Sequence, residues 1–236
     1  MSPESVDVLI LAGGLGTRLR EAVPDRPKVL APVLGEPYLF HLLRYLEAQS
    51  FRRVVLLLGH RAEEVMATVG TTFGSLEVAY SVESSPLGTG GAVRHALPQV
   101  QNDCFLVLNG DSFCAGSYSQ LISPTQPRIL VTSVADTSRY GSVQVDSSLR
   151  VRSFSEKNGK STPGLINAGV YGLQRSQVTL LPASGPASLE QHLLPVLANR
   201  GELLAVHGGR FIDIGTPASY REAQTFFHEV ADGVAV

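Results

Sequence analysis

Lysine is scarce in this chain: of its 19 basic residues 16 are arginine, and the three lysines stand at positions 28, 157 and 160. A chain that otherwise uses arginine keeps lysine where a compact point charge is wanted. Cysteine is scarcer still. Cys104 and Cys114 are too few for a disulfide framework and have no metal-ligand spacing. Neither charge is in excess, since 19 basic against 21 acidic side chains leave a net charge of −2. That balance excludes a whole-protein field for nucleic acid or a membrane surface, so an anionic ligand must be held by a local cluster of donors. No apolar run approaches bilayer length, and residues 1–7 lack the basic-then-apolar pattern of a secretory signal. These absences give the expectation of a soluble cytoplasmic protein, a monomer or small homo-oligomer, with no nucleic-acid or membrane partner.

What is present is apolar surface, at 44% of 236 residues, enough for one sizeable core. Residues 6–12, 54–58 and 105–108 read as buried strands. Between the first two, Leu39, Leu42, Leu43 and Leu46 form an i, i+3, i+4, i+7 stripe that predicts a helix over 37–50. Further helices are predicted over 62–69 and 90–97. The alternation implies a mostly parallel sheet with helices on both faces. In the second half, residues 129–135, 142–145 and 151–154 read as strands joined by turns, which predicts antiparallel additions. Ser188 and Gln191 have capping-box spacing ahead of a helix that Pro195 should kink or shorten. Thr216 and Pro217 open a final helix to about 230. No repeat, linker or low-complexity tract interrupts the chain. The expectation is α/β: a single Rossmann-like domain over 1–236, with a mostly parallel mixed sheet flanked by helices.

Directly after the first strand come Gly13, Gly14 and Gly16. Glycines there let the backbone approach a ligand and turn several N–H groups toward one anion, and Arg18 adds a forked cation. Two familiar phosphate motifs fail. A dinucleotide fingerprint from Gly14 and Gly16 needs a small residue where Leu19 stands, and the Gly159–Ser161 segment lacks the earlier glycine of a P-loop, having Phe154. Two later strands each end on a carboxylate: Asp111 follows an apolar run, and Asp213 alternates with Ile212 and Ile214. Ligands of open α/β sheets sit beyond the carboxyl ends of strands, where such aspartates could hold a metal.

The glycine loop, with Pro27 and Lys28 ten residues beyond Arg18, resembles the signature of the sugar-nucleotidyltransferase family. The resemblance runs from residue 6 to about 226. It implies that Leu11, Ala12, Gly13, Gly14, Gly16 and Thr17 bind a nucleoside triphosphate. Arg18, Lys28 and Asp111 would be catalytic, and Asp111 and Asp213 would hold Mg2+. Residues 83–92 resemble the nucleobase segment, with Glu83, Gly88 and Thr89 at the nucleotide. A carboxylate offers only acceptors, which suits the N1–H and N2–H2 edge of guanine. Asn109, Gly141, Glu156, Lys157 and Asn167 match the pieces that grip the sugar phosphate.

Within the family the chain most resembles short guanylyltransferases acting on D-glycero-α-D-manno-heptose 1-phosphate, through the Arg20–Lys28 spacing and residues 136–141 and 164–169. Longer relatives carry a C-terminal β-helix that this sequence lacks. The implied reaction joins GTP to a sugar 1-phosphate with release of pyrophosphate, giving a GDP-sugar for surface glycans. Mannose 1-phosphate with GTP, and glucose or MurNAc 1-phosphates with UTP or dTTP, stay open. A non-catalytic sensor on the same fold would be expected to have lost an arginine, lysine or metal carboxylate, and all are retained.

Overall fold

The apolar runs of the first half form strands buried on both faces, the condition under which parallel strands are stable. In the computed structural model, which describes residues 1–14, 16–19, 22–24, 26–155 and 161–231, Val8, Ile10, Val54 and Leu56 join one apolar cluster while Leu9, Val55 and Leu57 join another. The chain runs through β1 (Asp7–Leu11), β2 (Pro32–Val33), β3 (Glu36–Pro37), α1 (Tyr38–Ala48), β4 (Arg53–Leu58) and α2 (Ala62–Val69). It continues with β5 (Thr72–Phe73), β6 (Leu76–Val82), α3 (Gly88–Ala96), β7 (Cys104–Asn109), β8 (Ser112–Cys114) and β9 (Arg128–Val134). The remaining elements are β10 (Ser142–Val145), β11 (Val151–Ser155), β12 (Gly164–Gln174), α4 (Arg175–Val178), α5 (Leu194–Asn199), β13 (Leu204–His207), β14 (Phe211–Asp213) and α6 (Pro217–Ala231).

Eight strands make one sheet in the order β13-β9-β12-β7-β1-β4-β6-β5. β7, β1, β4 and β6 are mutually parallel, and β13 is parallel to β9. β12 runs antiparallel between β7 and β9, and β5 is antiparallel to β6. The mostly parallel mixed sheet is therefore present. One face is covered by α1, α2 and α6, whose Leu39, Leu42, Val65, Phe226 and Phe227 share a cluster. The other is covered by α3 and α5 through Val93, Ala96, Leu194 and Leu197.

The leucine stripe of α1 is wholly buried, as its spacing requires. Ser188 caps as expected, its hydroxyl accepting from the Gln191 N–H at 3.1 Å, but the capped turn over Leu189–Leu193 is π-helical. The α-helix begins only at Leu194, with Pro195 in its first turn, where a missing N–H costs nothing. Both cysteines are buried and unbridged. Burial raises the Cys114 thiol to about 12, so it packs as a small apolar group. No helix among the described residues is long and apolar enough to cross a membrane.

β12 is the longest strand and was not legible in the sequence. Gly164, Gly169 and Gly172 weaken its strand pattern. Gly169 takes φ +77° where the β12–β9 register shifts, and a Cβ on Gly172 would stand 2.0 Å from the Leu121 carbonyl oxygen. Those glycines permit a bulge and a close backbone crossing.

Candidate active site

Four parallel strands end side by side. Leu11 is in register with Leu57 and Asn109, and Leu58 with Val82. The segments leaving those ends border a cleft of about 610 Å³, on the side of an α/β sheet where ligands are held. Leu11, Ala12, Gly13 and Gly14 line it after β1, and Glu83, Gly88 and Thr89 after β6. Asn109 and Asp111 line it after β7, with Lys28 beside them. Residues 84–86 of the nucleobase segment also line it, as do Gly59 and His60, which the sequence did not single out. Gly59 had a signal: it follows an apolar strand as Gly13 does.

The glycines make room for one side chain. A Cβ on Gly59 would lie 2.9 Å from Glu83 Oε1, and one on Gly13 would lie 3.4 Å from it. Glu83 is thus wedged between the turns after β1 and β4, its Oε2 accepting from the Leu87 N–H at 3.2 Å. Burial raises its pKa, against the lowering effects of that N–H and the charge of His95. Gly14 faces open space, with nothing within 4 Å of a Cβ. Gly16 takes φ +59° beside the Lys28 stem, while Gly16, Thr17 and the exposed Arg18 stand just outside the lining.

Lys28 and Asp111 are partners. Lys28 Nζ is 2.5 Å from Asp111 Oδ2, and the lysine is the more enclosed of the two, at 13% against 43% side-chain exposure. Next to them lies Asp213, because β14 pairs with β8 and sets Asp213 opposite Ser112. The Ile214 N–H also donates to the Asp111 carbonyl at 2.9 Å. Asp213 is buried and surrounded by donors. Arg139 Nη2 lies 3.1 and 2.9 Å from its two oxygens, the Gly215 N–H donates at 2.5 Å, and the Ser219 hydroxyl at 3.1 Å. The Tyr140 hydroxyl donates to Oδ2 as well. Burial works against ionisation, but these donors outweigh it and hold the carboxyl below its ordinary value. Arg139 and Tyr140 were given no role at Asp213 from the sequence, although both sit in the 136–141 segment that carries part of the resemblance.

The sugar end is only partly described. Glu156 and Lys157 lie outside the described residues. Asn109 and Asn167 come together through Gly169, where a Cβ would stand 2.7 Å from Asn109 Nδ2 and where the N–H donates to Asn167 Oδ1 at 2.9 Å. Asn167 Nδ2 donates to the Tyr171 hydroxyl at 2.8 Å. Gly141 takes φ +75° and closes a turn on the Thr137 carbonyl. Thr89 gives its hydroxyl proton to Glu190 Oε2 at 2.7 Å, tying the start of α3 to the π-helical turn. Gly88, φ +70°, lies against Ala187 O, which a Cβ would approach to 2.5 Å.

Among the described residues no group of three or more His, Cys, Asp or Glu forms a metal cage. Asp213 stands on β14 and Asp111 in the turn just before its partner strand β8, and magnesium is usually held by one or two carboxylates with phosphates and waters completing the shell. The hard-oxygen donor set fits that ion.

Residues 7–230 match the family model described as nucleotidyl transferase. The chain is 34% identical over 216 residues to the D-glycero-α-D-manno-heptose 1-phosphate guanylyltransferase of Campylobacter jejuni, covering 91% of this chain and 97% of that one. It is similar to the crystal structure of HddC from Yersinia pseudotuberculosis, with TM-score 0.84, 35% identity, and coverage of 94% here and 99% there. HddC complexed with GMP-PN gives TM-score 0.81 at 34% identity, with the same coverage of 94% and 99%.

Proposed function

The chain belongs to the nucleotidyl transferase family, and from that premise we propose that it transfers GMP from GTP to D-glycero-α-D-manno-heptose 1-phosphate with release of pyrophosphate. The product is a GDP-sugar, made in the cytoplasm for surface glycan synthesis by a monomer or small homo-oligomer. The reading draws support from the heptose-phosphate relative, from the GMP-PN complex of HddC, and from Glu83 in the cleft.

In this reaction a phosphate oxygen of the sugar 1-phosphate bonds to the α-phosphorus of GTP. The bond from that phosphorus to the α–β bridging oxygen breaks, and pyrophosphate leaves with the electron pair. The nucleophile is already an anion, so no general base is needed. What the protein supplies is alignment and relief of repulsion between two anionic substrates. Gly13, Gly14 and Gly16 carry the triphosphate along the turn after β1, with Thr17 and Arg18 at its outer end. Lys28 neutralises phosphate charge at the inner end, beside Asp111. Lys157 and Glu156 take the phosphate and hydroxyls of the sugar, with Asn109, Gly141 and Asn167 shaping its pocket. Asp111 and Asp213 would hold Mg2+, which draws charge from the phosphates when bound.

Glu83 reads the base. Guanine offers two adjacent donors to a carboxylate, whereas uracil and thymine place a single donor between two acceptors. Thr89 and Gly88 fix the start of α3 beside it.

The single observation that carries the reaction class is the Lys28–Asp111 pair placed where four parallel strand ends meet. The test is a matrix of four nucleoside triphosphates against heptose, mannose and glucose 1-phosphates, scored by pyrophosphate release. Highest kcat/KM for GTP with the heptose phosphate is expected. Release only with UTP or dTTP overturns the guanylyl reading, and no release with any pair overturns the reaction class.

A further inference from the structure

Each carboxylate assigned to magnesium is occupied by a side-chain cation of its own. Lys28 sits on Asp111, and a single Arg139 nitrogen straddles both oxygens of Asp213. The two pairs converge on Gly215, where a Cβ would stand 2.6 Å from Asp213 Oδ1 and 3.8 Å from Lys28 Nζ. A divalent ion added at these carboxylates meets two positive charges within a few ångströms. Like charges at that separation repel strongly in a partly enclosed site, so the ion and the side-chain cations cannot all keep their places.

Lys28 lines the cleft itself, so a bound triphosphate can take its charge. Arg139 is built differently. A guanidinium carries five N–H donors in a planar fork, yet among the described residues only Nη2 is engaged, on Asp213 and at 3.4 Å on Ser219. Its side chain is 39% exposed and lies over the Tyr140 ring at 5.0 Å, two residues before the Gly141 turn of the sugar end. Asp213 does not depend on it for orientation, because Tyr140, Ser219 and the Gly215 N–H donate to the same carboxylate.

We propose that Arg139 is a displaceable counter-ion: it neutralises Asp213 until a divalent metal takes that carboxylate, and its freed fork then grips the phosphate of the sugar 1-phosphate. Metal binding and sugar-phosphate binding are thereby coupled through one side chain. The proposal rests on the nucleotidyltransferase reading and on Asp213 as a metal ligand.

The test uses the full chain and two separate binding measurements. Free Mn2+ is titrated against nucleotide-free enzyme and read by electron paramagnetic resonance. D-glycero-α-D-manno-heptose 1-phosphate is titrated calorimetrically in the presence of Mg2+. Arg139→Gln is expected to bind Mn2+ several-fold more tightly and the sugar phosphate about tenfold more weakly, the loss of one charged hydrogen-bonding group. Arg139→Lys, which keeps the charge without the fork, should fall between wild type and Arg139→Gln in both. Shifts of opposite sign are the signature, since a merely structural arginine would weaken both ligands together. Weakening of both, or an unchanged sugar-phosphate affinity, overturns the proposal. Asp213→Asn separates the two levels. If it weakens Mn2+ binding while Arg139→Gln changes nothing, only the counter-ion role fails. If it leaves Mn2+ binding unchanged, the metal reading fails and the proposal with it.

Discussion

Lys28 and Asp111, 83 residues apart in the chain, hold each other at 2.5 Å at the floor of the cleft. The lysine comes from a 3-10 turn after Pro27 and the aspartate from the turn between the core strand β7 and β8. Asp111 is 43% exposed and can be solvated without the lysine, and the more enclosed Lys28 can still donate to the amide oxygen of an Asn at 111.

Losing either partner therefore costs function and spares stability. Asp111→Asn is expected to abolish turnover. Lys28→Ala should cost about 100-fold to 1,000-fold in kcat/KM for the triphosphate, by analogy with deleting one transition-state donor. Thermal unfolding of both variants should move little, and Lys160→Ala should leave the kinetics near wild type. Equal losses at Lys28 and Lys160 would remove the lysine assignment.

Asp213 behaves otherwise. It is buried beneath Arg139, Tyr140, Ser219 and the Gly215 N–H, so Asp213→Asn should lower stability as well as activity, by about 1–3 kcal/mol for the donors left unmatched. The pH dependence has a definite sign. A carboxyl held below its ordinary value contributes stability above the unfolded pKa, about 3.9, and loses it as pH falls through the lower folded value. Wild type should lose this increment in acid and Asp213→Asn should not. Urea unfolding of both at pH 7 and below pH 3 measures the difference.

Gly59→Ala tests the place of Glu83 without touching it. The added methyl would stand 2.9 Å from Glu83 Oε1, the end of a flexible side chain, and 3.1 Å from the Gly13 carbonyl oxygen, so the carboxylate moves and the turn after β1 need give by only a few tenths of an ångström. The GTP over UTP preference should fall in Gly59→Ala and in Glu83→Gln alike, by about tenfold to 100-fold for a lost bidentate pair. Because burial raises the Glu83 pKa, the accepting carboxylate is lost as pH drops through a value above the usual glutamate range, about 4.3. The preference should decline on acidification in wild type and stay flat in Glu83→Gln. An unchanged GTP/UTP ratio in both variants would take Glu83 out of the base site.

At the opposite ends of the same strands, Arg53 lies 3.0 Å from Asp7, which is 2% exposed, and also pairs with Glu77. Arg53→Ala strands a buried charge and should cost about 3–5 kcal/mol, with KM values unaffected in the fraction that folds. Chemical denaturation and then kinetics on the folded protein check the separation.

Periodicity was enough for the elements whose burial is regular. The α1 stripe, the first three apolar strands and α6 from Pro217 all form where their spacing puts them. β12 escaped because two of its glycines, Gly169 and Gly172, answer to a bulge and to the crossing at Leu121, contacts that no local pattern encodes. The same holds at the cleft. Gly13, Lys28, Glu83 and Asp111 stood out by type and position, and all four line it. Arg139 and Tyr140 did not, because their role exists only once β14 brings Asp213 under the 136–141 turn. Gly59 shows its purpose only beside Gly13, a neighbour created by β1–β4 pairing.

The position of β12 also bears on how the chain is made. β7 pairs with β1 on one side and with β12 on the other, while among the described residues β9 has only β12 and β13 as sheet neighbours. A nascent chain that has emerged only as far as Val134 thus displays the open edge of Cys104–Asn109 and an unmated Arg128–Val134, both strongly apolar. Exposed edges of this kind invite pairing between molecules. Synthesis at about 5–20 residues per second leaves that edge uncovered for seconds before Gly164–Gln174 arrives to close it. Aggregation during expression should accordingly track events in that interval, such as slowed codons or truncation before residue 174, more closely than it tracks the stability of the finished protein.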